Sequence, residues 1–276
     1  MVDDVGADLD NVAVIQTGSG QRAAQVRERL LDLLGEVLGG VVTGASAGIG
    51  RRFAAEGAHV YLTGRRKTQL DDAVAAIGPN TTGVQADAGD LADLDRLSAQ
   101  ITGDGRRLDV LVANTGGGEL ATLELTTEEH FDQMVTTNMR STVFAVQKAL
   151  PLLNDGASVI LFSSIAADSG SETFGMYAAT KAAVRSYART WANELKGRGI
   201  RVNAISPGAV KTPGLAAKAP DPAQPDMLYD MIAGGIPLGR VAEADEVAGA
   251  VLFLASDDSS YITGSNLYVD GGLKQI

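Results

Sequence analysis

From Val37 onward the chain alternates short apolar runs with stretches in which apolar residues recur every three or four positions. The runs are Val41–Thr43, His59–Thr63, Gly83–Ala86, Leu108–Val112, Ser158–Phe162, Ile200–Ile205 and Leu267–Val269, most of them rich in branched residues that suit a pleated surface. Several are nearly continuous in apolar side chains, as a parallel strand must be when helices cover both faces of its sheet. The pattern predicts one α/β domain over residues 36–276, a doubly wound, Rossmann-type sheet of about seven parallel strands with helices on both faces. Residues 1–35 read as a leader carrying a short amphipathic helix over Gln21–Leu38, docked on the core or on a sister subunit. Five of the eight prolines fall between Pro207 and Pro225, so a loop is expected there, with a substrate lid at about residues 213–239.

Composition narrows what such a domain can bind. The chain has 276 residues, of which 45% are hydrophobic and 21% charged, enough to bury a sizeable core. A net charge of −11 repels polyphosphate and anionic lipid, which argues against nucleic acid or membrane as the main partner and leaves a small molecule. Cysteine is absent, so no disulfide, thiolate metal site or cysteine nucleophile exists, and the chain suits a reducing cytoplasm. Two histidines, His59 and His130, are too few for a histidine metal cluster, and no metal is expected. The first 35 residues hold neither a signal-peptide pattern nor a membrane-spanning run.

The 33 glycines cluster, and one cluster carries chemistry. Gly44, Ser46, Gly48, Ile49 and Gly50 lie between the Val41–Thr43 run and a helical stretch. Such a turn lets backbone N–H groups and the positive end of a helix approach a phosphate. Residues 44–48 also fit the G-x-S-x-G elbow of α/β-hydrolases, with Ser46 as nucleophile. That reading requires a histidine base. His59 sits inside a strand pattern and His130 in the opening turn of a helix, so the hydrolase is the lesser alternative.

Tyr177 and Lys181 stand four residues apart in a helical stretch, hence on one face. A nearby ammonium stabilises phenolate, which lets the phenol exchange protons closer to neutrality. Ser164, 13 residues upstream of Tyr177 at the end of a buried run, places a hydroxyl where open α/β sheets bind ligands. Ser163 is its immediate rival for that role.

Taken in order, Thr43, Gly44, Gly48, Ile49 and Gly50, then Ala86 and Asp87, Ala113 to Gly116, Asn138, Ser164, Tyr177, Lys181, Pro207, Gly208 and residues 270–272 resemble the short-chain dehydrogenase/reductase family, especially its 3-oxoacyl-carrier-protein-reductase-like members. The resemblance covers about Gly35 to Gly272. It implies Tyr177 as the general acid/base, Ser164 as hydrogen-bond donor to the substrate oxygen, Lys181 on the nicotinamide ribose and Asn138 holding a relay water. It further implies Asp87 at the adenine, Asn114 and Gly116 at the adenosine ribose, and Pro207, Gly208, Val210 and Thr212 at the nicotinamide amide and neighbouring phosphate. Relatives of this kind form tetramers, so a homo-oligomer, tetramer or dimer, is expected by analogy.

The cofactor follows from chemistry at the end of the second strand. A carboxylate there binds a ribose 2′-hydroxyl, whereas a basic group accepts the 2′-phosphate. Residues 62–67 carry no carboxylate, and Arg65 offers a guanidinium able to hold phosphate through two parallel hydrogen bonds. NADP(H) is therefore favoured over NAD(H). Two departures flank the phosphate turn: only six residues separate Gly50 from Gly57, where relatives have about ten, and Gly39 and Gly40 interrupt the first strand run. The resulting expectation is an oxidoreductase moving hydride between NADP(H) and a ketone or secondary alcohol, with a cofactor-impaired, non-catalytic binding subunit as the alternative.

Overall fold

The computed structural model describes residues 12–16, 46–221 and 224–276. Seven strands form one sheet in the order β3-β2-β1-β4-β5-β6-β7. They are β1 (Val12–Gln16), β2 (His59–Gly64), β3 (Thr81–Gln85), β4 (Leu108–Ala113), β5 (Leu153–Phe162), β6 (Arg201–Pro207) and β7 (Asn266–Val269). The longer helices are α1 (Ser46–Ala55), α2 (Lys67–Ile77), α3 (Leu91–Gly103), α4 (Glu128–Val135), α5 (Ser141–Ala149) and α6 (Gly175–Glu194), followed by α7 (Pro213–Ala216), α8 (Asp226–Ala233) and α9 (Ala244–Ala255).

The doubly wound α/β class holds, but the all-parallel sheet does not. Strands β2 to β3 and β4 to β7 pair in parallel, whereas β1 lies antiparallel to both of its neighbours. Val12 pairs with Ala113 at the carboxyl end of β4, and Gln16 with His59 at the amino end of β2. The slot between β2 and β4 is thus filled by a five-residue run, apolar from Val12 to Ile15, from within the segment taken as a leader. Ladder hydrogen bonds satisfy the neighbouring edges in either direction, so direction alone does not bar this run from the slot. The expected strand at Val41–Thr43, the helix at Gln21–Leu38, and Gly39 and Gly40 lie outside the described residues.

Elsewhere the sequence pattern and the elements agree closely. In β4, Val110 to Ala113 are almost completely buried, as are Ala157 to Leu161 in β5, because helices cover both faces. Strand β5 begins five residues earlier than its apolar core suggests, passing through Gly156 at φ +82° with a shift in pairing between Leu108 and Val110. Helix α1 ends before Gly57, which turns at φ +85°. It nevertheless keeps a buried face through Ile49 and Phe53. The proline-rich segment contains two short helices, α7 and α8, where a loop was expected, and Met227 and Met231 of α8 point to solvent. Thr212 caps α7 by accepting a hydrogen bond from Leu215 N at 3.2 Å, and Pro213 occupies the first turn, where its missing N–H is harmless.

Candidate active site

At the carboxyl end of β4 the chain runs through Asn114, Thr115 and three glycines whose φ angles are +138°, +151° and +128°. Glycine is required here for space as well as for backbone angle. A Cβ on Gly116 would collide with Lys181 Nζ and Asn138 Oδ1, and one on Gly118 would collide with Met134 Sδ. The strip is gripped from the helix side. Asn138 accepts from Gly117 N at 2.9 Å and donates to Gly117 O at 3.0 Å and Met134 O at 2.9 Å. It stands in a π-turn, Thr136–Arg140, that interrupts the α4–α5 helical run, a local irregularity often found at functional sites.

Lys181 enters from α6 and is 3% exposed. Its ammonium donates to Thr115 O at 2.8 Å and Phe162 O at 2.9 Å, so the ends of β4 and β5 both hold it. The Tyr177 ring lies one turn earlier, its centroid 5.8 Å from Lys181 Nζ. Phe174 meets that ring edge-on at 6.2 Å. Burial raises the Tyr177 hydroxyl above the usual phenol range, and a hydrogen bond with Ser164 pulls partly the other way. This direction is opposite to the one expected from a neighbouring lysine alone, because loss of water around the phenolate dominates. Ser164 also accepts from Ala166 N at 3.1 Å, capping the short 3₁₀ turn Ile165–Asp168. Ser163 is committed elsewhere: its hydroxyl donates to Lys181 O at 2.9 Å, tying β5 to α6.

A cavity of about 510 Å³ lies beyond the ends of β2 and β3. Arg65, Asp87, Gly89 and Leu91 line one side, and Gln133, Thr136, Thr137 and Arg140 the other. Asp87 accepts from Gly89 N at 2.8 Å, shaping the turn that forms the rim. The four residues of the second wall were not singled out in the sequence. Their nearest signal is position, since they flank Asn138 on one helical run.

The remaining expected residues divide. Gly44 lies outside the described residues, and Ser46 opens α1. Ile49 faces the core, and Gly48 lies against α9, where an added Cβ would come within 3.4–3.5 Å of Asp245 and Ala244. Pro207 ends β6, and Gly208 N donates to Val269 O at 3.0 Å with Asp270 pressed against its Cα. Val210 bridges to Ala242. The histidines that a hydrolase needs are placed otherwise: His59 bonds Thr82 Oγ1 at 3.1 Å at the amino end of β2, and His130 bonds Glu119 O at 3.0 Å. Among the described residues no group of three histidine or acidic side chains could hold a metal ion, and no helix is long and apolar enough to cross a membrane.

A doubly wound sheet with a serine, a tyrosine and a lysine gathered at the carboxyl ends of β4 and β5 defines an α/β oxidoreductase type of site. The sequence comparisons carry this to a family. A model described as enoyl-(acyl carrier protein) reductase matches residues 40–274. The oxidoreductase asL5 of Sarocladium schorii is 41% identical over 242 residues, 86% of this chain and 95% of that protein. The 3-oxoacyl-(acyl-carrier-protein) reductase FabG of Thermotoga maritima is 36% identical over 242 residues, 84% of this chain and 96% of its own length. A solved structure of a blue fluorescent protein from a metagenomic library, in complex with NADPH, superposes with a TM-score of 0.77 at 30% identity, covering 87% of this chain and 98% of that one. The chain belongs to the short-chain dehydrogenase/reductase family of oxidoreductases, among its 3-oxoacyl-carrier-protein-reductase-like members.

Proposed function

We propose that this protein is an NADP(H)-dependent ketoreductase or alcohol dehydrogenase in which Tyr177 exchanges the proton with the substrate oxygen. The observation that carries the reading is the Lys181 ammonium, held beside the Tyr177 ring by two carbonyls, with Ser164 at the end of β5 acting on the same phenol. The residues present fit a phosphorylated dinucleotide. The cavity beyond β2 and β3 has room for an adenosine and carries the Arg65 guanidinium on its wall, suited to a 2′-phosphate. Asp87, Asn114 and Gly116 would hold the adenosine end, Gly44, Ser46, Gly48, Ile49 and Gly50 the pyrophosphate, and Pro207, Gly208, Val210 and Thr212 the nicotinamide end. The relative bound to NADPH supports that choice.

When bound, the nicotinamide supplies or accepts the hydride. Ser164 donates to the carbonyl oxygen, and Tyr177 delivers a proton as charge builds on that oxygen. A phenol held above its usual range remains protonated at neutral pH, yet is far more acidic than an alcohol. It is therefore set to give a proton to a forming alkoxide, which supports the reductive direction. Asn138 keeps the glycine strip in register. Helices α7 and α8 act as the lid over a small carbonyl or alcohol substrate. The working form is a homo-oligomer in the cytoplasm, supported by Leu123, Leu125 and Phe131 exposed around α4.

The test pairs a panel of ketones and secondary alcohols, followed by NADPH absorbance, with nucleotide titration of the same protein. The wild-type chain is expected to consume NADPH with at least one ketone. Tyr177→Phe should turn over about 10²–10⁴-fold more slowly while binding NADPH normally. Retained turnover in Tyr177→Phe would overturn the mechanism. Failure of the wild-type protein to bind either nucleotide at millimolar concentration would favour a non-catalytic subunit.

A further inference from the structure

Two threonine hydroxyls meet behind the catalytic pair. Thr115 and Thr142 are each 1% exposed, and their Oγ1 atoms lie 2.7 Å apart. Thr142 Oγ1 donates to Asn138 O at 2.8 Å. With that proton committed, the short contact leaves Thr115 as the donor and Thr142 as the acceptor. Thr115 faces the other way as well, since its carbonyl accepts from Lys181 Nζ at 2.8 Å. One residue thus holds the ammonium through its main chain and is itself held through its side chain by α5.

We propose that the Thr115–Thr142 hydroxyl pair fixes the Thr115 carbonyl beneath the Lys181 ammonium, making Thr142 a positioning residue for the Tyr177–Lys181 pair. The proposal rests on the reading of Tyr177 as general acid/base. The strip from Thr115 to Gly118 has positive φ at all three glycines and so has little intrinsic preference for one path. Two clamps from the neighbouring helical run define that path: the Asn138 amide on Gly117, and the Thr142 hydroxyl on Thr115. The first fixes the strip's middle, and the second fixes the carbonyl that Lys181 needs. Removing the Thr142 hydroxyl leaves a buried donor on Thr115 without its acceptor, and a donor in that position turns to seek another partner, moving its own main chain. The helix back-bond from Thr142 to Asn138 O is by itself an ordinary feature of threonine in helices. The contact to Thr115 is what couples it to the site. Ser164, from the end of β5, lowers the phenol against the effect of burial, and the Lys181 ammonium, one turn along α6, lies 5.8 Å from the ring centroid. Displacing the ammonium moves a positive charge away from that ring and favours the protonated phenol.

The experiment is a pH–rate profile of ketone reduction for the wild-type chain, Thr142→Val, Thr142→Ser and Thr115→Val, with Tyr177→Phe as the reference for the underlying reading. Thr142→Val is expected to move the alkaline limb upward by about half a pH unit or more. It should also lower kcat about tenfold through misplacement of the pair. Thr142→Ser returns the limb to its wild-type position. Thr115→Val moves the limb in the same direction and serves where Thr142→Val fails to fold. A limb in Thr142→Val, or in Thr115→Val if that alone folds, that superimposes on wild type overturns the proposal whatever happens to Tm. So does a limb that stays displaced in Thr142→Ser, since the γ-methyl would then be the cause. If Tyr177→Phe keeps its turnover, the acid/base reading itself fails; if it is inactive and the limbs coincide, the reading stands and the threonine pair is merely structural.

Discussion

The two halves of the sheet reach their geometry by different means. From β4 to β7 every strand pairs in parallel with its neighbour, and the side chains at the carboxyl ends are bonded across elements: Ser163 to Lys181, Lys181 to β4 and β5, Asn138 to Gly117. From β1 to β3 the sheet depends on a five-residue antiparallel strand from near the start of the chain, and Arg65, Asp87 and Arg140 line an open cavity beyond the strand ends. The catalytic half is a set of mutually braced carbonyls and hydroxyls, in which moving one group strands another. The β1–β3 half carries that cavity, and the two guanidiniums on its wall suit an anionic group.

The largest expected effect tests whether β1 truly closes the sheet. Val14 pairs with Tyr61 on one side and Leu111 on the other, so its N–H belongs to a central ladder. Val14→Pro removes that donor from an interior strand and should destabilise the fold by about 3 kcal/mol. That corresponds to roughly 10 °C in Tm for a chain of this size, read by thermal melting. An unchanged Tm would mean that Val12–Gln16 does not fill the slot. The next effect falls on the cavity alone. Arg65→Ala should raise the KM for NADPH about 10- to 100-fold, the worth of a charge-assisted bond to phosphate, with the KM for NADH little changed. Equal losses for the two nucleotides would remove Arg65 from the choice of cofactor while leaving the catalytic half untouched.

What was legible in the chain follows the same division. Runs such as Val110–Ala113 and Val159–Phe162 declare buried parallel strands because they are apolar at every position, and a covered sheet needs that. Ser164, Tyr177 and Lys181 are legible because one strand end and one helical turn suffice to bring them together. The run Val12–Ile15 is equally apolar, but nothing local chooses between it and Val41–Thr43 for a slot filled by long-range pairing. Thr142 and Arg140 escaped notice for a related reason. Each acts through a residue distant in sequence, Thr115 or the Arg65 side of the cavity, and helical periodicity says which face a residue takes, not what waits opposite. The direction of the Tyr177 titration was also out of reach, since burial and not the visible lysine decides it.

The smallest expected effect lies where the two halves join. Helix α9 starts against α1: Asp245 pairs with Arg51 at 2.5 Å, and Ala244 packs on Gly48. That start is built by Glu246, which accepts from Glu243 N at 2.9 Å and receives both arms of the Arg240 guanidinium at 2.7 Å. These bonds hold the Glu246 carboxyl at about 2, well below its ordinary value of 4.5, with the Arg240 bond the largest cause. A group held lower in the folded chain than in the unfolded one stabilises the fold above the unfolded value and loses that contribution as pH falls toward the folded one. The contribution is therefore present above about 4.5 and disappears between there and about 2. Glu246→Gln removes the charge and keeps an acceptor for Glu243 N, so at pH 7 its Tm should fall by no more than a degree or two, as expected for an exposed pair. Below pH 4.5 the wild-type and variant melting curves should converge, because acid removes from the wild-type chain what the substitution has already removed. Curves that stay parallel down to pH 2 would show that the cap contributes through its shape alone, and that the charge on Glu246 adds nothing to it.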